Sequence, residues 1–166
     1  MNLVCSLRVL RDLRGSFAVV NPNAPRIQTE VQVMFFDTDS GGVVSNIAYL
    51  RFIETARTLL AEELGLRLVD MAATQQYPVV VRTEIDYRRA AKFGDRLLIE
   101  GWLDRTERVR FWCGFRVVRL SDNELIATCR QMMALIEMPA ARPLPLPQEW
   151  EKYRTLAATS DVAQTA

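Results

Sequence analysis

The chain has 166 residues, enough for one domain with a real core, and its 49% hydrophobic and 25% charged residues are ordinary globular composition. Twenty-one basic residues against 20 acidic ones leave a net charge of +1, which gives no support to a nucleic-acid-binding protein. No apolar run is long enough to span a bilayer, and histidine is absent, so any hydrolysis must run without an imidazole base.

The first residues read as an appendage. Arg8, Arg11 and Arg14 interrupt the apolar residues of Met1–Val20, so a cleaved secretory signal is a poor fit. Arginine without lysine is a feature of organelle transit peptides, but Asp12 counts against one. Asn21-Pro22-Asn23-Ala24-Pro25 is turn and linker chemistry. Residues 1–25 are therefore taken as an N-terminal extension, with the compact domain spanning residues 26–138. The three cysteines, Cys5, Cys113 and Cys129, form no CxxC pair, so no metal site is expected and a reducing, cytoplasmic compartment fits best.

From Arg26 to Phe36 apolar and polar residues alternate, which predicts a strand. Asp37–Ser45 is a loop by its acids, serines and glycines. Asn46–Leu64 is a helix: Ala48, Phe52, Ala56, Leu59 and Leu60 recur at helical spacing, and Gly65 is a stop. A second, short helix is expected at Leu68–Thr74. Four strands follow at Tyr77–Arg88, Arg96–Arg105, Arg110–Leu120 and Leu125–Glu137. In the last three, Cys113, Cys129 and the aromatics Trp102, Phe111, Trp112 and Phe115 are core or subunit-interface candidates. Residues 139–166 form a proline-rich tail, with a short helix expected at Gln148–Ala157 and Trp150 pinning it. One strand, a long helix and then a run of antiparallel strands is an α+β pattern, a sheet wrapped over one helix, whose open edge asks for a second copy.

The chemistry concentrates between Phe35 and Arg57. Asp37 and Asp39 follow an apolar run, precede Gly41-Gly42 and stand just before the helix. A carboxylate thus lies beside unpaired backbone N–H groups, a place to hold an anion or a developing oxyanion.

The run Asp37-Thr38-Asp39-Ser40-Gly41-Gly42-Val43-Val44, with Tyr49 and Glu54-Thr55-Ala56-Arg57 after it, resembles the signature of hotdog-fold acyl-CoA thioesterases. The nearest branch is the 4-hydroxybenzoyl-CoA thioesterase group with its Tol–Pal-associated relatives. Tyr87 to Leu97 resembles the same group where its sheet turns. The resemblance implies a hotdog fold, in which a long central helix is wrapped by a five-stranded antiparallel sheet, assembled as a homodimer or homotetramer. It implies hydrolysis of an acyl-CoA with no cofactor, Asp39 acting as nucleophile or general base. The backbone N–H of Asn46 is then the oxyanion donor. Many members of the Tol–Pal branch carry histidine at that position, whereas asparagine cannot shuttle a proton.

Each of these residues also has a plainer reading. Asp39 could be only a turn former, and Asp37 is the better candidate for bracing the loop. Gly42, Val43 and Val44 continue the motif into the substrate-binding part of the loop, although a glycine there also serves a positive φ. Tyr49 is half core, with a hydroxyl able to bond across the site. Glu54 and Arg57 can pair three residues apart, although the family places the acid near the pocket. Arg88, Arg89 and Lys92 offer charge to the CoA phosphates, or blunt a sheet edge. The acyl group is open among short aliphatic and aromatic thioesters. A hydratase would want a histidine, which leaves a non-catalytic acyl-CoA-binding or scaffold protein as the main alternative to a thioesterase.

Overall fold

The structure, a computed structural model, describes residues 24–154. Most of the N-terminal extension, with Cys5, and the tail beyond Arg154 lie outside the described residues. The elements run β1 (Arg26–Gln32), a 3-10 turn (Phe35–Asp37), α1 (Asn46–Glu63), α2 (Leu68–Thr74), β2 (Gln76–Tyr87), β3 (Arg96–Thr106), β4 (Arg110–Arg119), β5 (Glu124–Glu137), β6 (Arg142–Pro143) and a 3-10 turn (Gln148–Tyr153).

The strands form one antiparallel sheet in the order β1-β3-β4-β5-β2, with β6 added to β5. The five expected strands are all present, and the two-residue β6 is an addition. The pleat sends alternate side chains to opposite faces. Leu97, Ile99 and Leu103 of β3, Phe115 and Val117 of β4 and Cys129 of β5 thereby meet Phe52, Ile53, Ala56 and Leu60 of α1 in one core. Phe115, Ile53 and Leu60 are among its largest fully buried side chains, each contributing about 1.5–3 kcal/mol by burial. Phe111 belongs to that core, whereas Trp102 and Trp112 do not.

Three expectations need correction. The first strand stops at Gln32 and not Phe36, because the Asp37 carboxylate takes the Met34 N–H at 2.8 Å and curls the chain into a 3-10 turn. Leu59, expected to face inward, is 39% exposed, since the buried stripe of α1 runs through Ile53, Ala56 and Leu60. The C-terminal element is a 3-10 turn ending at Tyr153. Its Trp150 is 3% exposed, donates its indole N–H to the Leu64 carbonyl at 3.1 Å and meets Phe111 edge-on at 5.1 Å. The tail is thus pinned across the end of α1. No helix among the described residues is long and apolar enough to cross a membrane.

Candidate active site

The loop between the 3-10 turn and α1 is a miniature hairpin. Thr38 bridges Val44, the Asp39 N–H donates to the Val43 carbonyl at 2.9 Å, and the Gly42 N–H donates to the Asp39 carbonyl at 2.9 Å. Gly42 has a φ of +71°, which a side chain rarely adopts. At Gly41 an added Cβ would come within 3.1 Å of Asp39 Oδ1. The glycine pair therefore serves the turn and the close approach of the carboxylate together.

The two acids part company here. Asp37 is buried at 1% exposure, forms an ion pair with Arg51 of α1 and holds Ser45 through its backbone carbonyl, which accepts the Ser45 N–H at 2.9 Å. Asp39 is exposed, with Oδ1 accepting the Gly41 N–H at 2.8 Å. Its second oxygen has no partner among the described residues.

Beside it α1 begins. Ser45 is the N-cap, its hydroxyl accepting the Ala48 N–H at 3.3 Å. The N–H groups of Asn46 and Ile47 have no acceptor among the described residues. The hairpin that carries the free carboxylate oxygen thus leads straight into the two free N–H donors at the positive end of an 18-residue helix.

A second layer holds the hairpin in place. Val43 bridges Lys92, and the Val44 N–H donates to the Ala91 carbonyl at 2.9 Å. The buried Tyr49 hydroxyl accepts the Ala91 N–H at 3.3 Å, and burial pushes this phenol above its ordinary range against the pull of that N–H. Tyr49 thus fastens the loop from behind. The Lys92 N–H donates to Asp95 Oδ2 at 2.9 Å, and Arg119 reaches the Ala90 carbonyl at 3.1 Å and Asp95 at 3.4 Å. Arg119 also grips Asp122, whose carboxyl its guanidinium holds below the usual range.

The cations divide in the same way. Arg88 is paired with Asp86 at 3.6 Å and Arg89 with Glu124 at 3.3 Å, whereas the Lys92 ammonium has no partner among the described residues. Further along α1, Glu54 and Arg57 make their pair at 3.1 Å, and Arg57 also donates to Gln131 at 3.1 Å. That pair borders a cavity of about 140 Å³ between α1, α2 and the sheet. No three His, Cys, Asp or Glu side chains among the described residues could hold a metal ion.

Sequence reasoning missed Ser45, Arg51, Arg119 and Gln131. Ser45 carried a signal, a serine just before a periodic apolar run. The other three act through contacts distant in the chain, which local spacing does not encode.

Comparison with known proteins gives the family and the fold. The family model of the Thioesterase-like superfamily matches residues 33–157. An acyl-CoA thioesterase, YbgC, of Haemophilus influenzae is 31% identical over 72% of this chain and 87% of its own. A 1,4-dihydroxy-2-naphthoyl-CoA hydrolase of Synechocystis is 30% identical over 74% of this chain and 89% of its own. The crystal structure of Slr0204, a 1,4-dihydroxy-2-naphthoyl-CoA thioesterase from Synechocystis, superposes with a TM-score of 0.69 at 26% identity, covering 78% of this chain and 95% of that one. The fold is the hotdog fold of thioester hydrolases. The chain belongs to the Thioesterase-like superfamily.

Proposed function

We propose that this thioester hydrolase acts on acyl-CoA, with Asp39 as the catalytic carboxylate and the Asn46 N–H as oxyanion donor. The observation that carries the reading is the free oxygen of Asp39 in the hairpin that leads into the unpaired N–H groups at the start of α1. With the thioester carbonyl oxygen at those donors, negative charge developing in the transition state meets dipoles already aimed at it. Asp39 either attacks the carbonyl carbon or removes a proton from an attacking water. The CoA thiolate then leaves, and on the first route water hydrolyses the acyl–Asp39 anhydride to release the acid and restore the carboxylate. A free thiol has a pKa near about 8.5, so its departure needs little help from a general acid, and a site without histidine suffices. Lys92 meets the CoA phosphates, with Arg88 and Arg89 contributing at longer range.

We further propose a homodimer formed through β2, with the substrate entering between subunits. β2 ends the sheet, and its Val80 and Val81 are 40% and 52% exposed, an apolar edge that pairing with a second copy would cover. We assign the protein to the cytoplasm, where the free thiols of Cys113 and Cys129 meet a reducing environment.

The test is thiol release. The purified chain is given a panel of acyl-CoAs with a thiol reagent; catalytic release supports the reading, and binding without release favours the non-catalytic scaffold.

A further inference from the structure

We propose that the acyl group is a straight aliphatic chain whose far end lodges in the cavity between α1, α2 and the sheet, with Arg57 at its mouth. The inference rests on the thioesterase reading above and adds the class of acyl group to it.

The path follows from helical geometry. Asn46, Leu50, Arg57 and Leu64 stand at i, i+4, i+11 and i+18, one stripe of a helix with about 3.6 residues per turn. Leu50 is 40% exposed, and Arg57 and Leu64 line the cavity. On that stripe Leu50 is the exposed apolar side chain between Asn46 and the cavity, so an acyl chain starting at the Asn46 N–H passes Leu50 on its way to Arg57. Glu54, at the cavity's near end, is eight residues on from Asn46, or about 12 Å along the axis. An extended chain advances about 1.2 Å per bond, so about ten bonds reach the mouth.

Size and chemistry then narrow the occupant. A cavity of about 140 Å³ is close to one of about 150 Å³ that holds a single benzene. It takes about six carbons, which with about ten bonds to its mouth puts the whole chain at roughly 12–16 carbons. Beyond the mouth the walls include Leu60, Leu66, Met71, Phe111 and Met133, with the Cys113 thiol as the one weak donor. The polar groups at the mouth are already engaged. Arg57 binds Glu54 and Gln131, the Thr58 hydroxyl donates to the Glu54 carbonyl at 3.0 Å, and Gln131 donates to Thr83 at 3.3 Å. A one- or two-ring aromatic acyl group is too short to cross the roughly 12 Å to the mouth and forfeits that burial.

The experiment is a chain-length profile of the full chain, using saturated acyl-CoAs of about 4 to 18 carbons together with benzoyl-CoA and 1,4-dihydroxy-2-naphthoyl-CoA. The expected kcat/KM peaks at roughly 12–16 carbons, at least about tenfold above the shortest chain and both aromatic thioesters. Ala61→Phe, which projects a ring into the cavity, should move the peak to shorter chains by about four carbons. Met71→Ala, which enlarges it from α2, should move the peak to longer ones, and it carries the test alone if Ala61→Phe does not fold. A peak at about eight carbons or fewer, a preference for either aromatic thioester, or a peak that the folded variants do not move overturns this inference and leaves the thioesterase reading intact. Absence of turnover with every thioester overturns that reading and this inference together.

Discussion

Arg51, in the second turn of α1, closes on the carboxylate of Asp37, which is 1% exposed. Its guanidinium also lies over the Phe36 ring, 5.0 Å from the centroid. The pair sews the 3-10 turn to the helix directly behind Asp39. Arg51→Met leaves a buried carboxylate without its cation, which in a fully buried pair costs about 3–5 kcal/mol. Half of Arg51 is exposed, so water replaces part of the loss, and about 1–3 kcal/mol is expected. Urea unfolding should show that loss, with Tm lower by about 2–4 °C per kcal/mol. An unchanged midpoint would mean the pair braces nothing.

Asn46→Pro is the sharpest probe of the oxyanion donor. Proline is favoured at the first position of a helix, where it removes only an N–H that has no helical partner. Ser45, at φ −68° and ψ 153°, already has the extended conformation that a following proline requires. The fold should survive, as read by circular dichroism, while kcat falls by about 10²–10³. Full activity in a folded variant would move the oxyanion site elsewhere.

Lys92 is predicted to act on binding alone. Its ammonium is unpaired among the described residues, while Arg88 and Arg89 have carboxylate partners. Lys92→Ala should raise KM for acyl-CoA by about two- to fivefold, the scale of a solvent-exposed charge contact, and leave kcat unchanged. The effect should shrink with added salt. A fall in kcat at constant KM would contradict this role.

Alkaline stability is set in part by the core thiols. Burial pushes Cys113 and Cys129 up to about 12 from an ordinary value of 9. In the unfolded chain these thiols ionise near 9 and in the folded chain only near 12, so their contribution is complete below pH 9 and is lost between pH 9 and 12. Tyr49, also raised by burial, acts in the same direction. Urea midpoints measured across that range should fall less steeply in Cys113→Ala/Cys129→Ala than in the parent chain.

The order of elements was legible because each has a local cause. The α1 stripe, the stop at Gly65 and the alternation in β3 to β5 are short-range patterns, and the sheet followed them. Met34–Phe36 misled as strand because their composition suits one, while the Asp37 carboxylate, a side-chain effect, ends pairing at Gln32. In the site, the unequal standing of Asp37 and Asp39 was readable from the motif. The cation that fixes Asp37 lies 14 residues on, in another element, and no local spacing announced it. Tyr49 was anticipated as half core, yet its hydroxyl's partner, the Ala91 N–H, exists only once β2 has folded back over the loop.

The central claim is that the free oxygen of Asp39 performs the chemistry without histidine. Asp39→Asn keeps the side-chain oxygen that accepts the Gly41 N–H at 2.8 Å, so the hairpin should hold. The decisive measurement is single-turnover thiol release by Asp39→Asn against the parent chain, on the best acyl-CoA of the panel. A rate lower by about 10²–10⁴ with unchanged substrate binding is the predicted result. A rate within about threefold of the parent would contradict it, since about 0.65 kcal/mol is too small for the loss of a catalytic carboxylate.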